Sequence, residues 1–250
     1  MKVAFITRVE NKKDYEKSEL KILTRAVRNA RINDIYILSK NKPTTDKVDS
    51  IRVKTLPHKN PISPTSFNRF FKEIDNQSYK AFFVCSKEVS ISKKDITELI
   101  TQLEANPKLL VVGYCFKTKN KFLNNIIQKN YSDKNNLAYR VPWNTCCIWN
   151  LNLFKKYIVN FDEITNAEIK CNLEITYKGN VLKTEYKGME DGLAIAKAAS
   201  MYSIKFKLLD KKLNWKTNDE KKLLRKDIVL RTFMTIRGYS VKDLLSAEIK

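Results

Sequence analysis

The stretch VAFITR, residues Val3–Arg8, begins with four apolar residues in a row, followed by a threonine and an arginine. A nearly continuous apolar run of this length is typical of a strand that is buried on both faces of a parallel sheet. Comparable runs recur at residues 35–38, 81–85 and 109–114. These runs predict the buried strands of one sheet.

Helical patterns separate the apolar runs. Ser92, followed three residues later by Asp95, is a helix-start signal. Residues 51–56 alternate between apolar and polar and predict a short, edge-like strand. Apolar residues at helical spacing form three further segments: Leu20, Leu23, Val27 and Ala30; Phe67, Phe70, Phe71 and Ile74; Ile96, Leu99, Ile100 and Leu103.

Strands and helices that alternate in this way predict an α/β fold, with a mostly parallel open sheet flanked by helices. Such sheets bind ligands at the carboxyl ends of their strands, which here fall at residues 7–8, 39–41 and 86–88. The second half is more mixed. It predicts a polar loop with a short helix at 117–136, a hairpin at 174–187, a strand at 204–209 and a basic C-terminal helix at 219–233.

The composition indicates a soluble globular protein. The chain has 250 residues, of which 43% are hydrophobic and 30% charged, enough for one large domain or two small ones. No apolar run approaches the roughly 20 residues of a membrane span. The first apolar run ends too early for a signal peptide. We therefore expect a cytoplasmic protein.

The formal charge of +21 is large, because 48 basic residues face 27 acidic ones. An AT-rich coding bias would raise the lysine count but does not explain the shortage of acidic residues. The positive field is expected to attract a polyanion: nucleic acid, an anionic membrane surface or a negatively charged donor.

Several kinds of site are disfavoured by what the sequence lacks. Five glycines form neither a P-loop nor a dinucleotide-binding fingerprint. The single histidine, His58, lies in a proline-rich loop, which disfavours a Ser-His-Asp triad. Five cysteines without a C-x-x-C pair give little support for zinc and are expected to be free, buried thiols.

Two neighbouring carboxylates, Glu190 and Asp191, stand where a glycine-containing loop passes into an apolar helix, in the run GMEDGL at residues 188–193. This position is suited to holding a general base on a rigid element. The alternative is structural, because carboxylates stabilise the positive N-terminal end of a helix.

In order and spacing, these pieces resemble a GT-A-fold glycosyltransferase of the large family 2 type, over roughly residues 1–215. The first strand with Thr7 and Arg8 resembles the family's first nucleotide-contacting loop, and residues 81–92 resemble the strand that delivers its metal-binding Asp-X-Asp motif. The acceptor-side loop is matched by residues 142–144, and the Glu-Asp motif by residues 188–193.

The resemblance implies an inverting transfer of a sugar from a nucleotide-sugar donor to an acceptor hydroxyl. Asp191 would be the general base, and Glu190 would orient the acceptor or the helix start. The acceptor side would include Trp143 and Asn144. Donor contacts would come from seven residues: Thr7, Arg8, Asn41, Asn68, Ser86, Lys87 and Glu88.

The sequence departs from the family pattern on the donor side. Ser86-Lys87-Glu88 replaces the Asp-X-Asp motif, so that Glu88 is the one residue there able to ligate Mg²⁺ or Mn²⁺. The ammonium of Lys87 offers another way to offset the donor's diphosphate charge. Ser39-Lys40-Asn41 stands where the family has an aspartate that contacts the base of the donor nucleotide. The identity of the donor is therefore left open.

We expect one GT-A-like domain at residues 1–215, with a Rossmann-type nucleotide-sugar half at 1–116 and an acceptor half at 117–215, followed by a helical extension at 216–250. The acceptor could be a glycan, a lipid-linked sugar, a protein or a modified DNA base. The basic helix could lie on anionic lipid or nucleic acid. The alternative function is a catalytically silent GT-A-like domain that binds nucleotide or nucleic acid.

Overall fold

The structure is a computed structural model. It describes residues 1–10, 17–30, 32, 34–61, 66–75, 77–87, 89–114, 137, 140–161, 171–177, 180–186, 190–211, 213–215 and 220–249. Glu88 and the predicted loop at 117–136 lie outside these ranges.

The helices in the described ranges are α1 (Lys17–Asn29), α2 (Ser66–Ile74), α3 (Lys93–Ala105), α4 (Leu151–Tyr157), α5 (Glu190–Tyr202), α6 (Glu220–Arg237) and α7 (Val241–Ser246). The side chain of Ser92 caps α3 by accepting a hydrogen bond from the Asp95 N–H, and the Asp95 carboxylate accepts from the Ser92 N–H in return. This reciprocal box confirms the predicted helix start.

The strands form one large sheet and two small pairs. They are β1 (Val3–Arg8), β2 (Asp34–Ser39), β3 (Thr44–Val48), β4 (Ile51–Pro57), β5 (Ala81–Cys85), β6 (Val89–Ser90), β7 (Leu109–Tyr114), β8 (Cys146–Asn150), β9 (Cys171–Tyr177), β10 (Asn180–Tyr186), β11 (Lys205–Leu209), β12 (Asn214–Trp215) and β13 (Glu248–Ile249). The large sheet has nine strands in the order β13-β11-β7-β8-β5-β1-β2-β4-β3.

The large sheet is mostly parallel, as expected. Only β3 and β8 run against their neighbours among its nine strands. Because β8 is antiparallel to β5, its first residue, Cys146, pairs with the last residue of β5, Cys85. The loop that leads into β8 is thereby brought to the edge of the sheet where the parallel strands end.

The continuous apolar runs reflect burial on both faces of the sheet. Val3 and Phe5 face one hydrophobic core, while Ala4 and Ile6 face the other. Phe5 stacks on its cross-strand partner Phe83 at 5.2 Å between ring centroids. Each face is covered by helices, so neither tolerates a polar residue at alternate positions.

Two details differ from or extend the expectations. The alternating strand β4 does not form the edge of the sheet, because β3 pairs with its outer side. The alternation arises because Arg52 is exposed and Lys54 half-buried, while their neighbours Ile51, Val53 and Thr55 are buried. At the other edge, β13 pairs with β11, so residues 216–250 contribute a strand as well as helices. The division at residue 215 stays a prediction.

The hairpin expected at 174–187 is present as the antiparallel pair β9 and β10. Cys85, Cys146 and Cys147 are free and buried, as predicted for these three thiols. Within the described ranges, no helix is both long and apolar enough to span a bilayer.

Candidate active site

The candidate site lies at the carboxyl ends of the parallel strands of the large sheet, where β1, β2 and β5 end and β8 begins. This end of the sheet is called the carboxyl edge, or simply this edge, below. Loops from several elements meet there because the parallel strands share a direction. The N–H of Ser86, just after β5, donates a 2.9 Å hydrogen bond to the carbonyl of Thr145, just before β8. This bond joins the predicted donor side of the site to the predicted acceptor side.

Ser86 and Lys87 form a tight turn after β5. The N–H of Val89 donates to the Ser86 carbonyl at 3.1 Å, which closes the turn. Ser86 is half-buried, whereas Lys87 is exposed at the outer corner. The turn therefore presents an ammonium group at the open edge of the sheet.

The end of β1 meets the start of α2. The guanidinium carbon of Arg8 lies 4.6 Å above the ring centroid of Phe67, and Asn68 is the next residue of α2. Arg8 thereby contacts the helix that carries Asn68, and the donor role of both residues stays a prediction. Thr7 is fully buried within β1, so its predicted donor contact stays a prediction.

The loop after β2 is shaped by a local hydrogen-bonded turn. The N–H of Asn41 donates to Oγ of Ser39 at 3.0 Å, and that hydroxyl donates to Oδ1 of Asn41 at 3.1 Å. This pairing holds the half-buried Asn41 side chain back over the end of β2.

Asp191 lies in the first turn of α5 and is only 5% exposed. Its Oδ2 accepts a 2.7 Å hydrogen bond from the backbone N–H of Asn144, and its Oδ1 accepts one of 2.9 Å from the N–H of Gly192. Charge-assisted bonds from backbone donors stabilise a carboxylate and fix its plane. The backbone of Glu190 begins the same helix.

Asn144 connects Asp191 to the core. Its side-chain Oδ1 accepts a 2.9 Å bond from the indole Nε1 of Trp149, and the Sγ of Cys147 also donates to it at 3.5 Å. Because an indole N–H can only donate, these contacts fix which end of the amide is Oδ1. The Nδ2 group is buried and pairs with no other described atom, which leaves a donor for a water or ligand oxygen.

Trp143 packs against the helix that carries Asp191. A Cβ added to Gly192 would lie 2.9 Å from Cζ3 of Trp143 and 3.3 Å from Cδ1 of Leu230. Glycine is therefore required beside Asp191 for packing, because a methyl group would collide with the indole. Trp143 is only 1% exposed and packs against the helix start that carries Asp191. That its ring stacks on an acceptor stays a prediction.

A lysine from the C-terminal helix covers the same indole. Nζ of Lys226 lies 3.6 Å from the ring centroid of Trp143, a favourable cation–π distance. Burial and the nearby charge of Asp191 raise the pKa of the Cys147 thiol, while the Lys226 charge acts in the opposite direction. Both charges therefore act on one buried sulfur at the start of β8.

An ion pair joins the start of α3 to the segment that follows β11. Lys211 forms a short ion pair with Asp95 and lies 3.9 Å from Glu98. Burial would raise the pKa of Asp95, but hydrogen bonds from Lys211 and Ser92 outweigh it and lower that pKa. Asp95 is thus paired with Lys211 and also takes part in the capping box of α3.

The residues at this edge give a limited set of metal ligands. Among the residues that the structure describes, no three His, Cys, Asp or Glu side chains lie close enough together to hold an ion. A hydroxyl and an ammonium, from Ser86 and Lys87, are not the carboxylate donors that Mg²⁺ and Mn²⁺ prefer. These two residues do not fit a metal site.

Several residues predicted for the site lie together at this edge, but the residues that pack against them were not predicted. The structure joins Ser86 to the loop of Asn144, and that loop to Asp191, in the predicted order. The partners of Gly192 and Lys226 were not foreseen. A glycine directly after the acidic pair was the one visible signal, since glycine is unfavourable within a helix unless close packing requires it.

Comparison with known proteins identifies similar folds. No protein-family model matches the sequence, and no curated protein matches it. A mannosyltransferase from Pyrobaculum calidifontis, solved with GDP-Man and Mn²⁺, superposes with a TM-score of 0.60 at 8% identity, covering 98% of this chain and 68% of that one.

A second similar fold is the glucosyl-3-phosphoglycerate synthase from Mycobacterium tuberculosis. Its complex with Mn²⁺, UDP-Glc and glycerol 3-phosphate superposes with a TM-score of 0.51 at 8% identity, covering 96% of this chain and 81% of that one. Both similar proteins are GT-A-type glycosyltransferases. The chain therefore has the predicted GT-A-type α/β fold, and at this identity the likeness extends to the fold alone.

Proposed function

We propose that this protein is a glycosyltransferase that moves a sugar from a nucleotide-sugar donor to an acceptor hydroxyl, with inversion at the anomeric carbon. The observation that carries the proposal is the buried carboxylate of Asp191, held by two backbone N–H groups in a GT-A-type fold. The hydrogen bond between Ser86 and Thr145 links the donor edge to that carboxylate's loop.

The reaction is a single displacement. The acceptor hydroxyl gives its proton to the Asp191 carboxylate while its oxygen bonds to the anomeric carbon. The bond from that carbon to the diphosphate breaks, and its electron pair leaves with the diphosphate oxygen. One displacement requires one base on the acceptor side and positive charge near the leaving group.

On the donor side, the diphosphate would meet the cations of Arg8 and Lys87. Lys87 is exposed at the outer corner of its turn, where its ammonium can approach a phosphate oxygen. Asn41, Asn68 and Ser86 would supply neutral hydrogen bonds to the nucleotide or sugar. These roles rest on position at the edge of the sheet.

On the acceptor side, Asn144 would hold Asp191 and offer its Nδ2 group to a ligand oxygen, with Trp143 beneath. Glu190 would orient the acceptor or the helix start. The acceptor remains one of several hydroxyl-bearing classes: a glycan, a lipid-linked sugar, a protein or a modified DNA base.

Metal dependence has to be measured. Both similar proteins were solved with Mn²⁺, but Ser86 and Lys87 do not fit a metal, and no step here is routed through one. The sequence offers one carboxylate at this turn, that of Glu88, and it lies outside the described residues.

A thermal-shift screen tests the proposal. Nucleoside diphosphates and nucleotide sugars, with and without Mn²⁺, should include at least one that raises the melting temperature, since a ligand that binds only the folded state stabilises it. Lys87→Ala should weaken that shift, whereas Lys242→Ala, at an exposed site on α7, should not. No shift with any nucleotide would contradict a donor site at this edge.

A catalytically silent domain that binds nucleotide or nucleic acid is the second candidate, favoured by the net charge of +21. Replacing Lys221, Lys222 and Arg225 by Glu spares Lys226, which covers Trp143. If α6 binds polyanions, this variant should bind DNA or anionic vesicles more weakly and with a smaller salt dependence. Unchanged binding would exclude α6 as the surface that binds polyanions.

A further inference from the structure

Two thiols lie side by side next to the turn that follows β5. Cys85, the last residue of β5, pairs across the antiparallel ladder with Cys146, the first residue of β8. The Cys146 side chain is hydrogen-bonded to that of Cys85, and both thiols face the same hydrophobic core. Cys147 faces the opposite core. The strand register thus brings together two of the three described free thiols and separates the third.

The hydrogen bonds of the ladder show which kind of cross-strand pair the two thiols form. The N–H of Ser86 donates to the carbonyl of Thr145 at 2.9 Å, so these two residues are a hydrogen-bonded pair. Because the two kinds of pair alternate along an antiparallel ladder, Cys85 and Cys146 are a non-hydrogen-bonded pair, with Cα atoms about 4.5 Å apart. A disulfide needs Cα atoms about 4.4–6.8 Å apart. The backbone can therefore accept a disulfide at this position.

The two thiols differ in their surroundings although each is only 3% exposed. Burial, together with the hydrogen bond to Cys85, raises the pKa of the Cys146 thiol, so Cys146 stays protonated. The Cys85 thiol donates to the carbonyl of Ser86 at 3.5 Å. That carbonyl also accepts the hydrogen bond from Val89 that closes the turn. A change of bonding at the Cys85 sulfur therefore acts on the turn of Ser86 and Lys87.

We propose that Cys85 and Cys146 are a site of reversible oxidative modification, at which hydrogen peroxide produces an intrachain disulfide. The oxidant has to be small and uncharged, because so little of either thiol is exposed. The disulfide weakens donor binding by displacing the turn of Ser86 and Lys87. This consequence rests on the proposed function, whereas the formation of the disulfide does not.

The oxidation takes two steps. The sulfur of Cys85 attacks one peroxide oxygen, since the thiolate is the nucleophile and Cys146 is held protonated. The O–O bond breaks, and the departing hydroxide leaves with the Cys85 proton as water. The sulfur of Cys146 then attacks the sulfenic acid on Cys85. The S–S bond forms as the S–O bond breaks, and the hydroxide takes the Cys146 proton to give a second water, so that sulfur is oxidised and peroxide oxygen reduced.

Closing the disulfide draws the two strand ends together. Opposed Cβ atoms in a ladder are about 4.5–5.5 Å apart, whereas a disulfide holds them about 3.5–4.5 Å apart. Ser86 follows one of these strand ends and Thr145 precedes the other, and a backbone hydrogen bond joins them. A shift of roughly 1 Å therefore reaches both the turn that carries Lys87 and the loop that carries Asn144.

Peptide mapping tests the modification. Trypsin releases Cys85 on residues 81–87 but leaves Cys146 and Cys147 together on residues 141–155, so wild type and Cys147→Ala are both treated with hydrogen peroxide. Each should lose two free thiols, yield these two peptides joined by a disulfide, and regain the thiols with dithiothreitol. Cys85→Ala and Cys146→Ala should form no such link.

The other two cysteines provide the control. A variant that combines Cys115→Ser with Cys171→Ser should still form the link between residues 81–87 and 141–155. Circular dichroism and melting temperature establish that each variant is folded. Thiols that stay reduced in the folded wild type, or a disulfide that disappears in folded Cys147→Ala, would overturn the inference.

The effect on binding is measured with the nucleotide that the thermal-shift screen identifies. Oxidised wild type should bind it about 10-fold more weakly, the loss expected for one charge-assisted contact, and dithiothreitol should restore the affinity. Cys85→Ala should bind equally well before and after peroxide. A mapped disulfide that leaves the affinity unchanged would overturn the link to donor binding. Failure of the reduced protein to bind any nucleotide would instead contradict the proposed function, and the mapped disulfide would stand.

Discussion

The backbone N–H of Asn144 donates a 2.7 Å hydrogen bond to Oδ2 of Asp191 across 47 residues of sequence. A backbone donor does not rotate away as a side chain can, so the carboxylate keeps one orientation. Because the Asn144 side chain is itself held by Trp149, the orientation of Asp191 depends on the core of the sheet.

Substituting Gly192 tests the packing beside Asp191. In Gly192→Ala the new methyl group would lie 2.9 Å from Cζ3 of Trp143, so the helix or the indole must move. Overpacking of this kind costs about 1–3 kcal/mol of unfolding free energy. We expect urea denaturation to detect that loss, together with reduced activity because Asp191 is displaced.

Gly238 provides the matched control. It has a φ of +69° and open space around its Cβ position, so Gly238→Ala strains the backbone and should cost about 1 kcal/mol without displacing any side chain. Its activity should equal that of the wild type. If Gly192→Ala behaved like Gly238→Ala in activity, the contact with Trp143 would not control Asp191.

The side chain of Asn144 is expected to be coupled to Trp149. Asn144→Ala leaves a buried indole N–H without its acceptor, which costs about 1–3 kcal/mol. Trp149→Phe removes the same N–H, so it should cost less in the Asn144→Ala background than in the wild type. A double-mutant cycle by urea denaturation should give a coupling energy of about 1 kcal/mol, and purely additive losses would contradict the hydrogen bond.

Asp95 should give α3 a pH-dependent stability. Its pKa is lowered from the usual 3.8, because hydrogen bonds from Lys211 and Ser92 outweigh the opposing effect of burial. A lowered pKa in the folded state means that the stabilisation is present above the unfolded value and is lost as the pH falls through the folded one.

Asp95→Asn should therefore lower the free energy of unfolding by about 1 kcal/mol at pH 7, the usual contribution of a helix cap. Near pH 3 the same substitution should lower it by distinctly less. Urea denaturation at the two pH values measures the difference. Asp75→Asn is the control, since Asp75 forms an exposed ion pair with Lys155 that should contribute little at either pH. Equal losses at pH 7 and pH 3 for Asp95→Asn would contradict the role of its charge.

The sheet could be predicted because its strands carry local signals. Runs such as Val3–Arg8 are apolar throughout since both faces are buried, and Ser92 with Asp95 marks a helix start within four residues. Strand β3 escaped prediction because its residues, Thr44–Val48, are mostly exposed and polar. Such an edge strand depends on its partner β4 and has no hydrophobic pattern of its own.

The candidate site was predictable as a set of loops but not as a set of contacts. Position at strand ends was enough to group Arg8, Asn41 and Ser86. Contacts between distant segments, such as Lys226 over Trp143, leave no local pattern in the chain. The basic run of α6 was predicted as a surface for polyanions, whereas one of its lysines packs on the candidate acceptor side.

The most direct measurement of the central claim compares sugar transfer, or donor hydrolysis, by the wild type and by Asp191→Asn, with the donor identified by the thermal-shift screen. Asp191→Asn should bind that donor as tightly as the wild type but lose at least about 100-fold in turnover, since a positioned general base contributes 10²–10⁴-fold. Asp75→Asn should retain full turnover. Wild-type turnover that persists in folded Asp191→Asn would contradict the assignment of Asp191 as the base.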